Sequence, residues 1–362
     1  MKSSQVLLAA LFVFLTFHSS LKAQTNEERA KAKASEAITL VEEGKYPEGI
    51  KFLKDAKKLD SKNATYPYEI AYAYYIQKDY KNALKYLEPL MKEKRVYENA
   101  FQLAGNSYDL LGNKNKALET YDNGLKYFPN SGSLYLEKGT MALSKENYEE
   151  ALSYYEKGIE AAPQFSSNYY WAARIYCSST EKVWGMIYGE IFLNLERNSK
   201  RTIEINKLLY DTYKQNIKFS SDTTLSVSFS KQNQISVEDL QKGALKMPYG
   251  VMVYEKNLIV AIIKEKQIDL PSLNRIRSRF ADVYFKNNDG NEYPNVLFEY
   301  HQTIAKAGHF EAYNYWLLGK GEDTTFSTWR TENKNKWENF TKWFSENKLS
   351  LTETHKFYRK QY

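Results

Sequence analysis

Small and apolar residues return along the first half of the chain at a fixed interval. Gly49, Ala83, Ala117 and Ala151 stand at a constant step of 34. Leu53, Leu87, Tyr121 and Tyr155 follow them by four, and Ala56, Leu90, Gly124 and Gly158 come three later. Upstream of each small residue runs a second apolar stripe. In the third unit it is Phe101, Ala104, Gly105 and Tyr108, spaced i, i+3, i+4, i+7, which is one face of a helix. Ile70, Ala71 and Tyr74 hold the matching places in the second unit, and Tyr135, Gly139 and Ala142 in the fourth. Each unit therefore predicts two helices joined by a polar turn: GKYPE at 44–48, KDYKN at 78–82, GNKNK at 112–116 and KENYE at 145–149. The small residue lets the paired helices approach, and the leucine or aromatic four positions on fills the space between units. Pro129 and Pro163 end the second helix of their units, because proline has no N–H for the ladder. One unit cannot bury its own apolar face, so neighbours stack and share a core.

This spacing resembles the tetratricopeptide repeat, whose period is 34 with small residues at fixed places. Four units cover residues 30–63, 64–97, 98–131 and 132–165 without a gap. The first departs by carrying Pro47 and Gly49 and by lacking the closing proline. A fifth, 166–199, opens well with Tyr169, Ala172, Ala173 and Tyr176. It then has Gly185 where alanine is expected and Gly189 in the aromatic place, which predicts a degenerate, capping unit. The fold expectation is all-α: a superhelical solenoid of helical hairpins followed by a mostly helical C-terminal domain over 200–362.

The resemblance implies a concave groove, lined by the first helix of each unit, that binds peptides or proteins. Carried over by position, its lining here is Tyr68, Tyr72 and Tyr75 from unit two, Asn99, Gln102, Asn106 and Asp109 from unit three, and Tyr170 and Arg174 from unit five. Amides suit the backbone of an extended peptide, and tyrosine and arginine give stiff contact area. Some members of the family grip a C-terminal carboxylate with lysines, asparagines and an arginine. Here Gln102 replaces the lysine before Asn106, and Glu137 stands where the next asparagine belongs, so no preference for free C-termini is expected.

From about residue 200 the period of 34 is gone. Residues 201–217 predict a helix with Ile203, Leu208, Leu209 and Tyr213 along one stripe, and Leu225, Val227 and Phe229 alternate as a strand or extended loop. Ser236 predicts a helix cap, Pro271 a helix start over 272–286, and NDGNEYP a turn. Residues 295–307 and 309–319 predict a helical hairpin hinged at Gly308, somewhat like a lone repeat unit with the step from Gly308 to Ala312 one short. A last helix carries Phe326, Trp329, Trp337, Phe340 and Trp343 and predicts a core-packing aromatic stripe.

Composition changes this picture in three places. Of 362 residues, 43% are hydrophobic and 15% aromatic, enough for a sizeable core, and the formal charge of +7 is scattered among acids. No block of five or six like charges stands out, so nucleic acid is not an expected partner. Residues 1–23 read as a secretory leader: Lys2, the apolar run Val6–Phe17, then a cut after Ala23. That run is too short to span a bilayer, which needs about 20 residues, so no membrane span is expected after cleavage. Export to the periplasm or envelope of a Gram-negative bacterium follows as the expected location. The single cysteine, Cys177, excludes an internal disulfide and reads as a small packed residue.

Candidate chemistry is sparse. There is no GxSxG, HExxH, GxxxxGK[ST] or GxGxxG in the chain. His301 and His309, with Glu299 and Glu311, are the one set whose residue types could ligate a metal, but without an HxxxH or HxxE pairing. No cofactor or metal is therefore expected. The reading is a non-enzymatic scaffold that binds a protein or peptide partner. Two alternatives stay open from sequence alone: an envelope enzyme with a site in 200–362, and a structural part of an outer-membrane or secretion assembly.

Overall fold

The computed structural model describes residues 24–92, 98–221, 224–231 and 248–362. The leader at 1–23 and the helix capped by Ser236 lie outside the described residues. Packing divides the chain into two compact units, residues 1–120 and 121–362.

The first unit is built of helical hairpins. Helices α1 (Asn26–Glu42) and α2 (Tyr46–Leu59) pack as a pair, as do α3 (Thr65–Ile76) and α4 (Tyr80–Leu90), and α3 and α4 both meet α5 (Glu98–Leu110). Thr25 caps α1 in a reciprocal capping box with Glu28. Ala37, Leu53, Ala56, Ile70 and Ala73 form its core with Tyr66. Gly49 lies so close to α1 that an added Cβ would meet the Ala37 carbonyl at 2.9 Å, which is why this unit carries glycine where the others carry alanine.

The turns repeat as strictly as the helices. Gly44, Lys78, Gly112 and Glu146 are all left-handed, with φ of 80°, 62°, 82° and 59°. They stand at the same constant step as the small residues. In each case the following N–H returns to the carbonyl five positions back: Lys45 to Leu40, Asp79 to Tyr74, Asn113 to Tyr108 and Asn147 to Ala142. This closure satisfies carbonyls that the helix end leaves open and fixes the angle at which the second helix departs.

The second unit continues the hairpins and then wraps a bundle around them. Helix α6 (Lys114–Tyr127) is followed by α7 (Gly132–Leu143) on α8 (Tyr148–Ala161) and α9 (Ser166–Cys177) on α10 (Lys182–Leu195). The fifth hairpin is a full one, and the two glycines read as loss of pattern are its means of packing. A Cβ at Gly185 would meet the Cys177 backbone nitrogen and Sγ, both at 2.6 Å, and one at Gly189 would meet Leu209 Cδ2 at 2.8 Å. Its departure from the other units lies in the turn: Thr180, one period after Glu146, is not among the left-handed residues.

Helix α11 (Lys200–Asn216) begins one period after α9, which begins one period after α7. The repeat thus carries one helix beyond residue 199, although its side-chain pattern does not return. The expected stripe needs correcting, since Ile203 is 54% exposed, and the buried face is Ile205, Asn206, Leu209, Tyr210 and Tyr213. Asn206 is tied at both ends of its amide, donating to Trp316 O and accepting from Lys320 N. Where the second helix of a sixth unit would come, Ile217–Ser221 and Thr224–Val227 form an antiparallel hairpin with Ile217 opposite Val227.

A π-helical turn at Gly250–Glu255 runs into α12 (Lys256–Ile262), which packs on α13 (Leu270–Lys286). Asp269 caps α13 with Ser272, and Pro271 falls in its first turn as expected. The NDGNEYP turn is a single helical turn, α14 (Asp289–Glu292), entered through left-handed Asn288. Helices α15 (Val296–Lys306) and α16 (Phe310–Leu318) form the expected hairpin around Gly308, closed by the same return bond, His309 N to Ile304 O. Five positions after Gly308, where the repeats put a small residue, stands fully buried Tyr313. The single aromatic helix expected near the end is two, α17 (Asp323–Glu332) and α18 (Lys334–Glu346), broken at Asn333; Phe326 meets Trp337 edge-on across the break.

One core runs from Ala142 to Phe357 without a break at residue 199. At its centre Glu190 of α10 accepts from Arg277 Nη2 at 2.5 Å and Nη1 at 3.0 Å, from His301 Nε2 at 2.6 Å and from the Tyr313 hydroxyl at 2.8 Å. The last residues cross back over the repeats. Phe357 is fully buried beside Trp184 and Tyr249, Arg359 holds the buried Glu156 carboxylate through Nε at 2.7 Å and Nη2 at 2.9 Å, and Tyr362 stacks on Tyr249.

Candidate functional site

In the first unit the residues implied by the resemblance fall on two adjacent helices. Tyr68, Tyr72 and Tyr75 lie along α3 at i, i+4, i+7, and Asn99, Gln102, Asn106 and Asp109 along α5. Tyr72 and Asn99 are exposed and the rest half-buried. The two stripes meet, because the Asn99 side chain hydrogen-bonds the Tyr68 hydroxyl. Burial pushes the Tyr68 pKa up, and this bond opposes the rise. Tyr75 packs against Tyr80 at 5.4 Å, and Asp109 pairs with Lys114 at 2.6 Å. Asp109 is thus engaged within its own turn and offers less to a ligand than position alone implies.

Tyr170 and Arg174 lie in the second unit, and Arg174 lines a cleft of about 830 Å³. Its two walls have the same spacing. Helix α9 supplies Trp171, Arg174, Ile175 and Ser178, and α11 supplies Glu204, Lys207, Leu208 and Asp211, each at i, i+3, i+4, i+7. Leu143, ending α7, and Tyr148, opening α8, complete the lining. Tyr170 itself is buried beneath the cleft and does not line it. Its hydroxyl donates to Glu204 Oε2 at 2.7 Å, and its pKa is raised first by burial and then by that carboxylate. Arg174 spans the walls, with Nε at 3.1 Å from Glu204 Oε1 and the guanidinium over Trp171 at 4.8 Å. Trp171 is wedged further by Tyr170 edge-on at 5.2 Å and by Tyr155 stacked at 6.5 Å.

Sequence reasoning found Arg174 but missed the opposite wall, because α11 was read as having left the period. The signal was present: Tyr170 and Arg174 stand one period before Glu204 and Leu208, the side chains they face.

The histidine set does not assemble. His301 is buried and engaged with Glu190, while the His309 ring lies 5.3 Å from that of Trp343. Glu311 accepts from Trp329 Nε1 and Lys336, and Glu299 faces His355. Among the described residues no group of three or more His, Cys, Asp or Glu side chains could hold a metal ion. Cys177 is buried, and burial pushes its thiol up to about 12, far from a nucleophile's range. Among the described residues no helix is long and apolar enough to cross a membrane.

Comparison with known proteins agrees with the repeat. A family model described as tetratricopeptide repeat matches residues 103–164. No curated protein matches the sequence. Among solved structures, TTC0263, a thermophilic TPR protein of Thermus thermophilus, is 14% identical with a TM-score of 0.41, covering 50% of this chain and 98% of its own. PilF of Pseudomonas aeruginosa is 20% identical at 0.38, over 48% of this chain and 78% of its own. A MamA structure from Desulfovibrio magneticus RS-1 is 15% identical at 0.37, over 49% and 99%. With the constant repeat step, the paired helices and the family match in agreement, the chain carries tetratricopeptide repeats.

Proposed function

We propose that the protein is a non-enzymatic scaffold that binds a protein or peptide partner, exported to the periplasm or envelope of a Gram-negative bacterium. The observation that carries the binding reading is the cleft between α9 and α11, where two helical stripes face each other over an apolar floor. A concave, mostly apolar site with a few placed polar groups is the usual form of a binding site. The α3 and α5 stripes, with exposed Tyr72 at their centre, are a second surface of the same kind. The apolar run at 6–17 supports export.

The test is a crosslinking pull-down from envelope extract with three baits: wild type, Leu208→Glu, and Tyr72→Ala with Asn106→Ala. A defined partner lost with Leu208→Glu places binding in the cleft. Loss with the double variant places it on the first unit. A partner retained by all three baits, or none captured by any, ends the reading. Fractionation of cells expressing the full sequence checks export, which fails if the protein keeps residues 1–23 and stays with cytoplasmic markers.

A further inference from the structure

We infer that the cleft of the second unit takes a short, uncharged peptide segment, seated by one bulky apolar side chain, and that charge contributes nothing to its affinity. The inference rests on the binding reading above and deepens it.

The charged groups of the lining are already matched to one another. Arg174 pairs with Glu204 at 3.1 Å across the walls, and Lys207 pairs with Asp211 at 3.3 Å along α11. Both oxygens of Glu204 are used, one by Arg174 and one by the Tyr170 hydroxyl. The lining thus holds two cations and two anions, and its charge sums to zero. A charged ligand finds no unmatched charge in this lining, and exchanging one exposed pair for another gains it little.

The hydroxyls are committed as well. Ser178 donates to the Arg174 carbonyl and Ser179 to the Tyr176 carbonyl. A serine oxygen that has donated can still accept; Ser179 Oγ already accepts from Glu181 N at 3.0 Å, so Ser178 is the one that suits a peptide N–H. The apolar surface left to a ligand is the half-exposed side of residues that pack on the core with their other side: Leu143, Ile175, Leu208 and the part of Trp171 that Arg174 leaves uncovered. Trp171 is held by rings on two sides, so the seat is formed before the ligand arrives.

Length follows from the helix. From Trp171 to Ser178 is two helical turns, or about 10 Å of rise. An extended chain advances about 3.3 Å per residue, so three or four residues fill the wall.

The test uses blocked hexapeptides Ac-Gly-Ser-X-X-Ser-Gly-NH2, with X as Phe, Leu, Glu or Lys, titrated into the full chain by ligand-observed NMR at 50 and 500 mM NaCl. The Phe and Leu peptides are expected to bind at least tenfold more tightly than the Glu and Lys peptides, with affinities that change less than twofold between the two salts. Leu208→Glu and Tyr148→Glu are each expected to weaken the Phe peptide at least fivefold, and Tyr148→Glu, at a position 54% exposed, to do so while leaving thermal unfolding unchanged. Tighter binding of a charged peptide, a steep loss of affinity with salt, or no binding of any peptide overturns the inference. The scaffold reading survives those outcomes if the pull-down still loses its partner with Leu208→Glu or with the double variant, and falls with the inference if neither loses it.

Discussion

At the scale of single residues, the left-handed turns separate what a side chain needs from what its backbone needs. Gly44 and Gly112 adopt positive φ with nothing within 4 Å of an added Cβ, so glycine is there for conformation alone. Lys78 and Glu146 adopt the same conformation with a side chain attached, which costs about 1–2 kcal/mol. Glycine at these positions removes that strain but has more freedom to lose on folding, about 0.5–1 kcal/mol. Lys78→Gly and Glu146→Gly are therefore expected to stabilise by about 0.5 kcal/mol each, and Gly112→Ala to destabilise by about 1 kcal/mol, read from urea midpoints. A loss of stability in both glycine variants would show that the side chains hold these turns. The spacing of Gly49, Ala83, Ala117 and Ala151 was plain in the sequence because a small residue declares close packing. The matching turn positions were not, because nothing about a lysine or a glutamate declares a left-handed backbone.

At the scale of elements, Glu190 joins four helices. It sits on α10 and receives Arg277 of α13, His301 of α15 and Tyr313 of α16. Burial alone would raise its carboxyl, but beside Arg277 and His301 it is held down to about 2. An unfolded glutamate titrates near ~4.3, so the stability from Glu190 is full above that value and is lost as pH falls towards about 2. His301 is held below its ordinary value, first by burial and against the pull of Glu190. The unfolded chain takes up the imidazole proton below about pH 6.5, so this group opposes folding from there downwards. Both effects act in one direction. Thermal stability is expected to fall as pH drops below about 6.5, and His301→Gln, which keeps a donor for Glu190, is expected to flatten the first part of that fall. An unchanged profile in His301→Gln would assign the fall to other groups. Arg277→Ala leaves the carboxylate buried without its main partner and is expected to cost about 3–5 kcal/mol. None of this was legible in the sequence. His301 and Glu190 are 111 residues apart, and neither lies in a motif. The helices themselves were legible where a cap or a period marked them, as at Pro271 and Gly308. Helix α11 was legible as a helix, but its buried face and its place in the period were not, because the side chains changed while the period held.

At the scale of the whole molecule, the repeats and the C-terminal bundle of the second unit share one core, so the end of the repeating side-chain pattern is not an edge in the packing. The tail that closes this core places Leu349, Leu351 and Phe357 inside. Phe357→Ala is expected to cost about 3–5 kcal/mol, seen as a fall in the unfolding temperature with the transition of residues 1–120 unmoved. A single shifted transition would mean that the two units unfold as one. The bond between Arg359 and Glu156 spans 203 residues of chain, which gives folding a schedule. A chain that emerges N-terminus first can complete its hairpins one after another, since each needs only its neighbours. The second unit must instead wait for residue 359. Until then Glu156 is without its arginine, and the ring of Tyr249 is without Phe357 and Tyr362. From the emergence of α10 until that of residue 359 this protein is a finished run of hairpins joined to an unsealed seam.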